Sequence, residues 1–165
     1  MNRKAKEMKP YLFTYLEEAK KFVEQEKPNG VICPCCQQYY KVWRRKPVST
    51  AIASLINLVR KYKVAPRFYH LDEFFIVKKD RTFSQLELWG LIERQVNDDA
   101  AKRTSGCYRP TAKGETFVTD INYKIPKYIY TDQNKVIRIE EDLFINIIEA
   151  LGLEFNYTEL LEENY

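Results

Sequence analysis

Apolar residues recur at helical spacing early in the chain, at Leu12, Tyr15, Leu16, Ala19, Phe22 and Val23. That stripe predicts an amphipathic helix. It is entered at Pro10, where a missing N–H costs nothing, and stopped by Pro28-Asn29-Gly30. Residues 1–9 read as a short basic arm. The pattern then shifts to VICPCCQQYYKVWRRKP, whose Tyr, Val and Trp content predicts short extended pieces around a tight cysteine turn. A second helix follows, with Ser49 or Thr50 as its cap and Ile52, Leu55, Val59 and Tyr62 on its buried face. Ala51 and Leu58 sit beside them, and Ala65-Pro66 ends the helix. HLDEFFI predicts a short helix with Leu71, Phe74 and Phe75 inward, and VKKD a turn. RTFSQLELWG predicts a third helix, closed by Gly90 in the left-handed conformation that glycine adopts cheaply. LIERQV reads as a strand, NDDAAKRTSG as a polar loop and GCYRP as a returning strand, with TAKGETFV after it. Beyond Asp120, YKIPKYIYTDQNKVIRI predicts two strands about an Asp132-Gln133-Asn134 turn. EEDLFINIIEALG predicts a helix with Phe144, Ile147, Ile148 and Leu151 on one face and Gly152 after it, and Tyr157 to Glu163 suit a last short helix.

These elements put the chain in the α+β class and divide it in three. Residues 1–46 hold the first helix and the CPCC segment, 47–120 a central unit, and 121–165 a β-hairpin and an acidic helix. In the central unit the order is helix, short helix, turn, helix, strand, loop, strand. Gly90, Leu91, Ile92 and Arg94 form a GLI-x-R element, and Tyr108, Thr111 and Gly114 a Y-x-x-T-x-x-G element, with a polar loop between them. In these residues the stretch resembles the winged helix-turn-helix superfamily, particularly its MarR-like members, in which the first element joins the third helix to the wing and the second leaves the wing. The resemblance covers about 70 residues. It departs from the usual pattern in two places. The second helix is short and flanked by Phe68, Tyr69, Phe74 and Phe75, and the wing offers Asp98, Asp99, Lys102 and Arg103 in place of Asp-x-Arg. The chain is also loosely similar to small uncharacterised phage or prophage proteins with CPCC upstream of WGLIE, a likeness that implies phage origin and no activity.

Composition narrows the classes. Hydrophobic residues make up 45% and charged residues 30%, enough apolar surface for a core and too much charge for a membrane protein. No apolar run reaches the roughly 20 residues of a spanning helix, and no apolar stretch with a cleavage site follows the basic start. The expectation is a cytoplasmic protein with no membrane partner. The net charge of +4 is unevenly spread: +6 over residues 1–47, +3 over 48–120 and −5 over 121–165. A basic front and an acidic tail suit nucleic-acid contact at one end, although charges this mild are also what solvated faces carry.

The resemblance implies contact with double-stranded DNA, through the third helix in the major groove. Arg81, Ser84, Gln85 and Leu88 then face outward, with Phe83, Leu86 and Leu91 inward. Glutamine pairs bidentately with adenine and arginine with guanine. Lys102, Arg103 and Thr104 of the wing would lie on phosphates or in the minor groove, positioning rather than specifying. Glu87 opposes backbone contact if it shares that face. YYKVWRRKP interleaves aromatics with cations, so it can stack bases or pack as an edge strand with Trp43 inward. Lys41, Arg44, Arg45 and Lys46 remain a backbone-contact patch either way. The expected function is a regulator or accessory factor of transcription. The alternative is a winged helix that acts as a protein-interaction module, an inhibitor or adaptor of a nucleic-acid machine. The flanking helices could pack on the central unit or make a homodimer.

Cys33, Cys35 and Cys36 form CPCC, and Cys33-x-x-Cys36 has zinc-knuckle spacing. Zinc wants four ligands, and the chain offers only Cys35, Cys107 and His70 besides. A set of Cys33, Cys36, His70 and Cys107, a site shared across a dimer, a redox pair and inert thiols all remain open. One histidine, five glycines and no GxSxG, HExxH or phosphate loop argue against an enzyme.

Overall fold

The computed structural model describes residues 15–77, 80–97, 101 and 104–162. The fold is mixed α+β, with short antiparallel sheets arranged around one central helix. Helix α1 spans Leu16–Glu26 and buries Ala19 and Val23. Tyr15 and Leu16, expected on the same buried stripe, are exposed. Leu12 lies outside the described residues. The Lys27 ammonium ends the helix between Glu24 Oε1 at 2.6 Å and Asp132 Oδ2 at 3.0 Å, which ties α1 to a distant turn. Strands β1 (Val31–Ile32) and β2 (Tyr39–Tyr40) pair around the cysteine turn, and β3 (Trp43–Arg45) leads to the central helix.

Helix α2, Ser49–Val64, is buried on every side from Ala51 to Val59. A helix apolar all round belongs in the centre of a core, and the single predicted face was too narrow. Its polar exceptions are satisfied. Ser54 donates to the Thr50 carbonyl and accepts from the Ile76 N–H, while Asn57 Nδ2 donates to the Phe74 carbonyl at 2.9 Å. The N-cap is Val48, without a side-chain cap. Ser49 and Thr50, expected as caps, instead donate to the carboxylates of Glu154 and Asp80, because those acids reach the first turn from elsewhere in the fold. At the other end the Tyr69 hydroxyl lies 2.7 Å from the Ala65 carbonyl and 2.9 Å from that of Lys61. Orphan carbonyls of a last turn need such partners.

Strand β4 is Tyr69–His70, and a 3-10 turn over Leu71–Glu73 follows where the short helix was expected. Phe74 is buried, with Phe75 and Leu71 packed beside it. The third helix is a seven-residue 3-10 helix, Phe83–Trp89, rather than an α-helix. Its buried residues, Phe83, Leu86 and Trp89, are spaced by three, and a 3-10 helix repeats every three residues and so stacks them on one face. Then come β5 (Ile92–Arg94), β6 (Cys107–Pro110) and helix α3 (Ala112–Thr119). Strand β6 lies between β4 and β5, antiparallel to both.

The remaining segment returns to the same core. Strand β7 (Ile125–Pro126) pairs with β10 (Phe144–Ile145), and β8 (Ile129–Asp132) lies between β3 and β9 (Lys135–Ile139). Gln133 and Asn134, at φ of 48° and 64°, join β8 to β9, and positive φ at both central residues is what a two-residue hairpin turn requires. The helix expected over EEDLFINIIEALG is shorter: α4 covers only Ile147–Leu151, and Phe144 lies on a strand, half exposed. Asn146 starts α4 as one half of a capping box with Glu149. Helix α5, Tyr157–Glu162, packs on α2. Arg60 donates to the Leu160 carbonyl and Tyr157 to that of Val118. One buried cluster runs from Ala51 through Phe83, Phe117 and Ile129 to Leu160. Among the described residues no helix is long and apolar enough to cross a membrane.

Candidate functional site

The two sequence elements of the central unit form one joint. Gly90, at φ 69°, ends the 3-10 helix, and its N–H reaches back to the Glu87 and Leu86 carbonyls. Thr111 donates through Oγ1 to the Gly90 carbonyl at 2.6 Å and accepts the Gly114 N–H at 3.1 Å, so it caps α3 while holding the turn. The Thr111 N–H also donates to the Leu91 carbonyl. Lys113 Nζ donates to the Trp89 carbonyl at 2.8 Å, a cation placed on the negative end of the 3-10 helix. Gly114 packs so closely on Leu91 that a Cβ there would stand 2.9 Å from the Leu91 carbonyl carbon and nearer still to its oxygen. GLI and T-x-x-G therefore occur together because each satisfies the other's backbone.

This joint aims the 3-10 helix. Trp89 Nε1 donates to the Pro126 carbonyl at 2.8 Å and fixes the far end. Phe83 fixes the near end, 5.0 Å from the Phe74 ring centroid and 5.5 Å from that of Tyr108. The solvent side presents Arg81, exposed, with Ser84 and Gln85 half-buried, so three of the predicted contact residues come together. Leu88 is half-buried and packs on the core. A shallow groove beside the helix is bounded by Arg81, Ser84, His70, Asp72 and Asp80. Asp80 is occupied by Thr50, by the Thr82 N–H and by the Thr82 hydroxyl. Among the described residues Arg81 has no ion-pair partner.

Nearby charges are mostly paired. Glu87, the residue expected to oppose contact, is bound by Arg94 Nη2 at 2.9 Å, which cancels its charge locally. Arg109 is paired with Glu93 across β5 and β6. Arg67 grips Glu73, whose carboxyl is held below its usual range first by that guanidinium and then by the His70 N–H. The segment expected to be a wing joins β5 to β6. Its stem is closed by Ser105 donating to the Gln95 carbonyl and by Gln95 donating to that of Cys107. Thr104 is exposed at the stem. Lys102 and Arg103, with Asp98 and Asp99, lie outside the described residues.

Arg44 and Arg45 stand apart from this site, on the β3–β8–β9 sheet and on its opposite faces. The Arg44 guanidinium carbon lies 3.5 Å from the centroid of the Tyr128 ring, and that of Arg138, two strands away, 3.8 Å from the centroid of Tyr130. Arg45 is tied inward by Thr131 Oγ1 at 2.9 Å and by Asn134. Trp43, expected inward on the packing reading, is half-exposed beneath the Lys41 ammonium.

Cys33 and Cys36 sit in the turn between β1 and β2. All four cysteines are free thiols. Backbone N–H groups of Cys36 and then Cys35 hold the Cys33 thiol below its usual pKa. Cys107 and His70 face each other across β6 and β4. Cys107 donates to the Ser105 carbonyl and His70 Nδ1 accepts the Asp72 N–H. Among the described residues no group of three or more His, Cys, Asp or Glu side chains is arranged to hold a metal ion, so the set of Cys33, Cys36, His70 and Cys107 is not assembled. No family model matches the chain, and neither a curated protein nor a solved structure matches it.

Proposed function

We propose that the chain is a winged-helix protein that binds double-stranded DNA as a regulator or accessory factor. The observation that carries this reading is the order of the β4–β6–β5 sheet. The strand that comes last in the chain lies in the middle, after a helix, a short 3-10 turn and a second helical segment. That is the arrangement in which a winged helix presents its third helix and the loop between its last two strands to one side. Arg81, Ser84 and Gln85 would then meet base edges or phosphates, and Thr104 at the stem would meet the backbone. The 3-10 helix is short and its neighbours are charge-balanced, so the contact on this reading is small and modest in affinity.

The test is fluorescence anisotropy on random duplex DNA across a salt series. The expected result is a linear fall of log affinity with log salt. Arg81→Gln should reduce the slope by about one if that residue meets a phosphate. Absence of binding at low salt, with the protein folded, removes the DNA reading. A second reading then takes its place, that of a protein-interaction module. It is favoured by Arg67, Arg94 and Arg109 each being engaged by a glutamate, which leaves a near-neutral face around the 3-10 helix.

A further inference from the structure

We propose that Cys33 and Cys36 are half of a zinc site, and that the CPCC turn of a second copy of this chain supplies the other half. The turn that carries both cysteines is closed by backbone hydrogen bonds. The Cys33 N–H donates to the Gln38 carbonyl at 2.8 Å and the Gln37 N–H to the Cys33 carbonyl at 2.9 Å, which closes the loop onto the β1–β2 ladder. Gln37, the residue after Cys36, stands at φ 59°. A side-chain-bearing residue there costs about 1–2 kcal/mol, so the local sequence alone does not favour the shape. That shape sets Cys33 and Cys36 at the two sides of one closed loop, three residues apart. Pro34, which has no N–H, occupies the intervening position. Nothing in the core requires this arrangement, since Cys35 and Cys36 are exposed.

Ligand number decides where the other half comes from. A structural zinc takes four ligands in a tetrahedron. The chain has four cysteines and one histidine, and Cys107 and His70 are engaged at the β4–β6 pair. Cys35, adjacent to Cys36 in a tight turn, does not join the same ion. The turn is an exposed hairpin tip, and two identical Cys-x-x-Cys pairs related by a two-fold axis make a closed tetrathiolate, the isologous contact that symmetric dimers use. Charge agrees: zinc with four thiolates carries two negative charges, and residues 31–47 of each copy hold four Lys/Arg and no Asp/Glu. Binding releases the thiol protons and changes no oxidation state.

The experiment uses the full chain, purified under a non-chelating reductant without added metal, and reads zinc by mass spectrometry and molar mass by light scattering. The expected result is one zinc for two chains in a dimer. A strong chelator should convert it to a metal-free monomer and added zinc should restore it. Cobalt should give the absorption of a tetrahedral tetrathiolate centre. Cys33→Ser and Cys36→Ser should each abolish both metal and dimer with the circular dichroism unchanged, whereas Cys35→Ser should keep both. If the serine variants do not fold, the chelator series on the native chain decides alone. One zinc per monomer, no zinc after zinc is supplied, or a dimer that survives metal removal would each overturn the proposal.

Discussion

Two glycines of one joint resist substitution for different physical reasons. Gly90 sits at φ 69° with open space where a Cβ would go, so only backbone conformation opposes a side chain. Gly114 lies in an ordinary helix, but a Cβ would collide with the Leu91 carbonyl, which the chain holds in place. Gly90→Ala should therefore cost about 1–2 kcal/mol, and Gly90→Asn less, because asparagine tolerates the left-handed region. Gly114→Ala should cost about 1–3 kcal/mol or more from overpacking. For a chain of this size each kcal/mol lowers Tm by roughly 2–4 °C, and thermal melts of the three variants should rank Asn, Ala at 90, Ala at 114. Asn57 is a third sensitive position. Its truncation to alanine leaves the Phe74 carbonyl buried without a donor, at a cost of about 1–3 kcal/mol. Denaturant melts should show a lower midpoint for Asn57→Ala; an unchanged midpoint would mean that water replaces the amide.

At the scale of the element, the useful signals are short-range. Asn146 accepts the Glu149 N–H, and Glu149 accepts the Asn146 N–H, both at 2.9 Å. This N-x-x-E box stands in the sequence and marks the true start of α4, but the apolar run from Leu143 to Ile148 hides it by extending the helical pattern backwards. Asn146→Ala should lose about 0.5–2 kcal/mol, read as a lower denaturation midpoint with the helical dichroism nearly intact. The same competition explains the 3-10 helix. Phe83, Leu86 and Trp89 carry a period of three, yet Leu91 and Gly90 downstream let the segment pass for an α-helix. Strand positions were plainer, because Asp132-Gln133-Asn134 and the cysteine turn announce their hairpins. In the central unit the run from the third helical segment through β6 was legible, as was the grouping of Arg81, Ser84 and Gln85, but the two-residue strand β4 was too short to show a pattern and helix α3 was not read. What sequence could not supply was the partner of each charge. Glu87, Glu93 and Glu73 find their arginines through tertiary pairings, and Arg45 is drawn inward by Thr131, 86 residues away.

At the scale of the molecule, α2 decides how the parts relate. It touches α3, α4, α5, β6 and the 3-10 helix. The cluster around it holds Phe83, Leu86 and Phe117 from the central unit together with Ile125, Ile147 and Leu160 from the segment after it. The division into 47–120 and 121–165 drawn from sequence therefore falls inside one continuous apolar cluster. A boundary between independent units would instead lie where few contacts cross. Cooperativity follows from that geometry. Leu160 is 7% exposed, and its carbonyl accepts from Arg60 on α2, so Leu160→Ala opens a void against the central helix rather than merely loosening α5. The cost is about 2–5 kcal/mol if the site does not collapse. Calorimetry should show a single transition shifted to lower temperature, with the van't Hoff and calorimetric enthalpies still equal. Two transitions, with only the first displaced by the substitution, would mean that the central unit melts on its own and that the shared cluster does not couple it to the C-terminal helices.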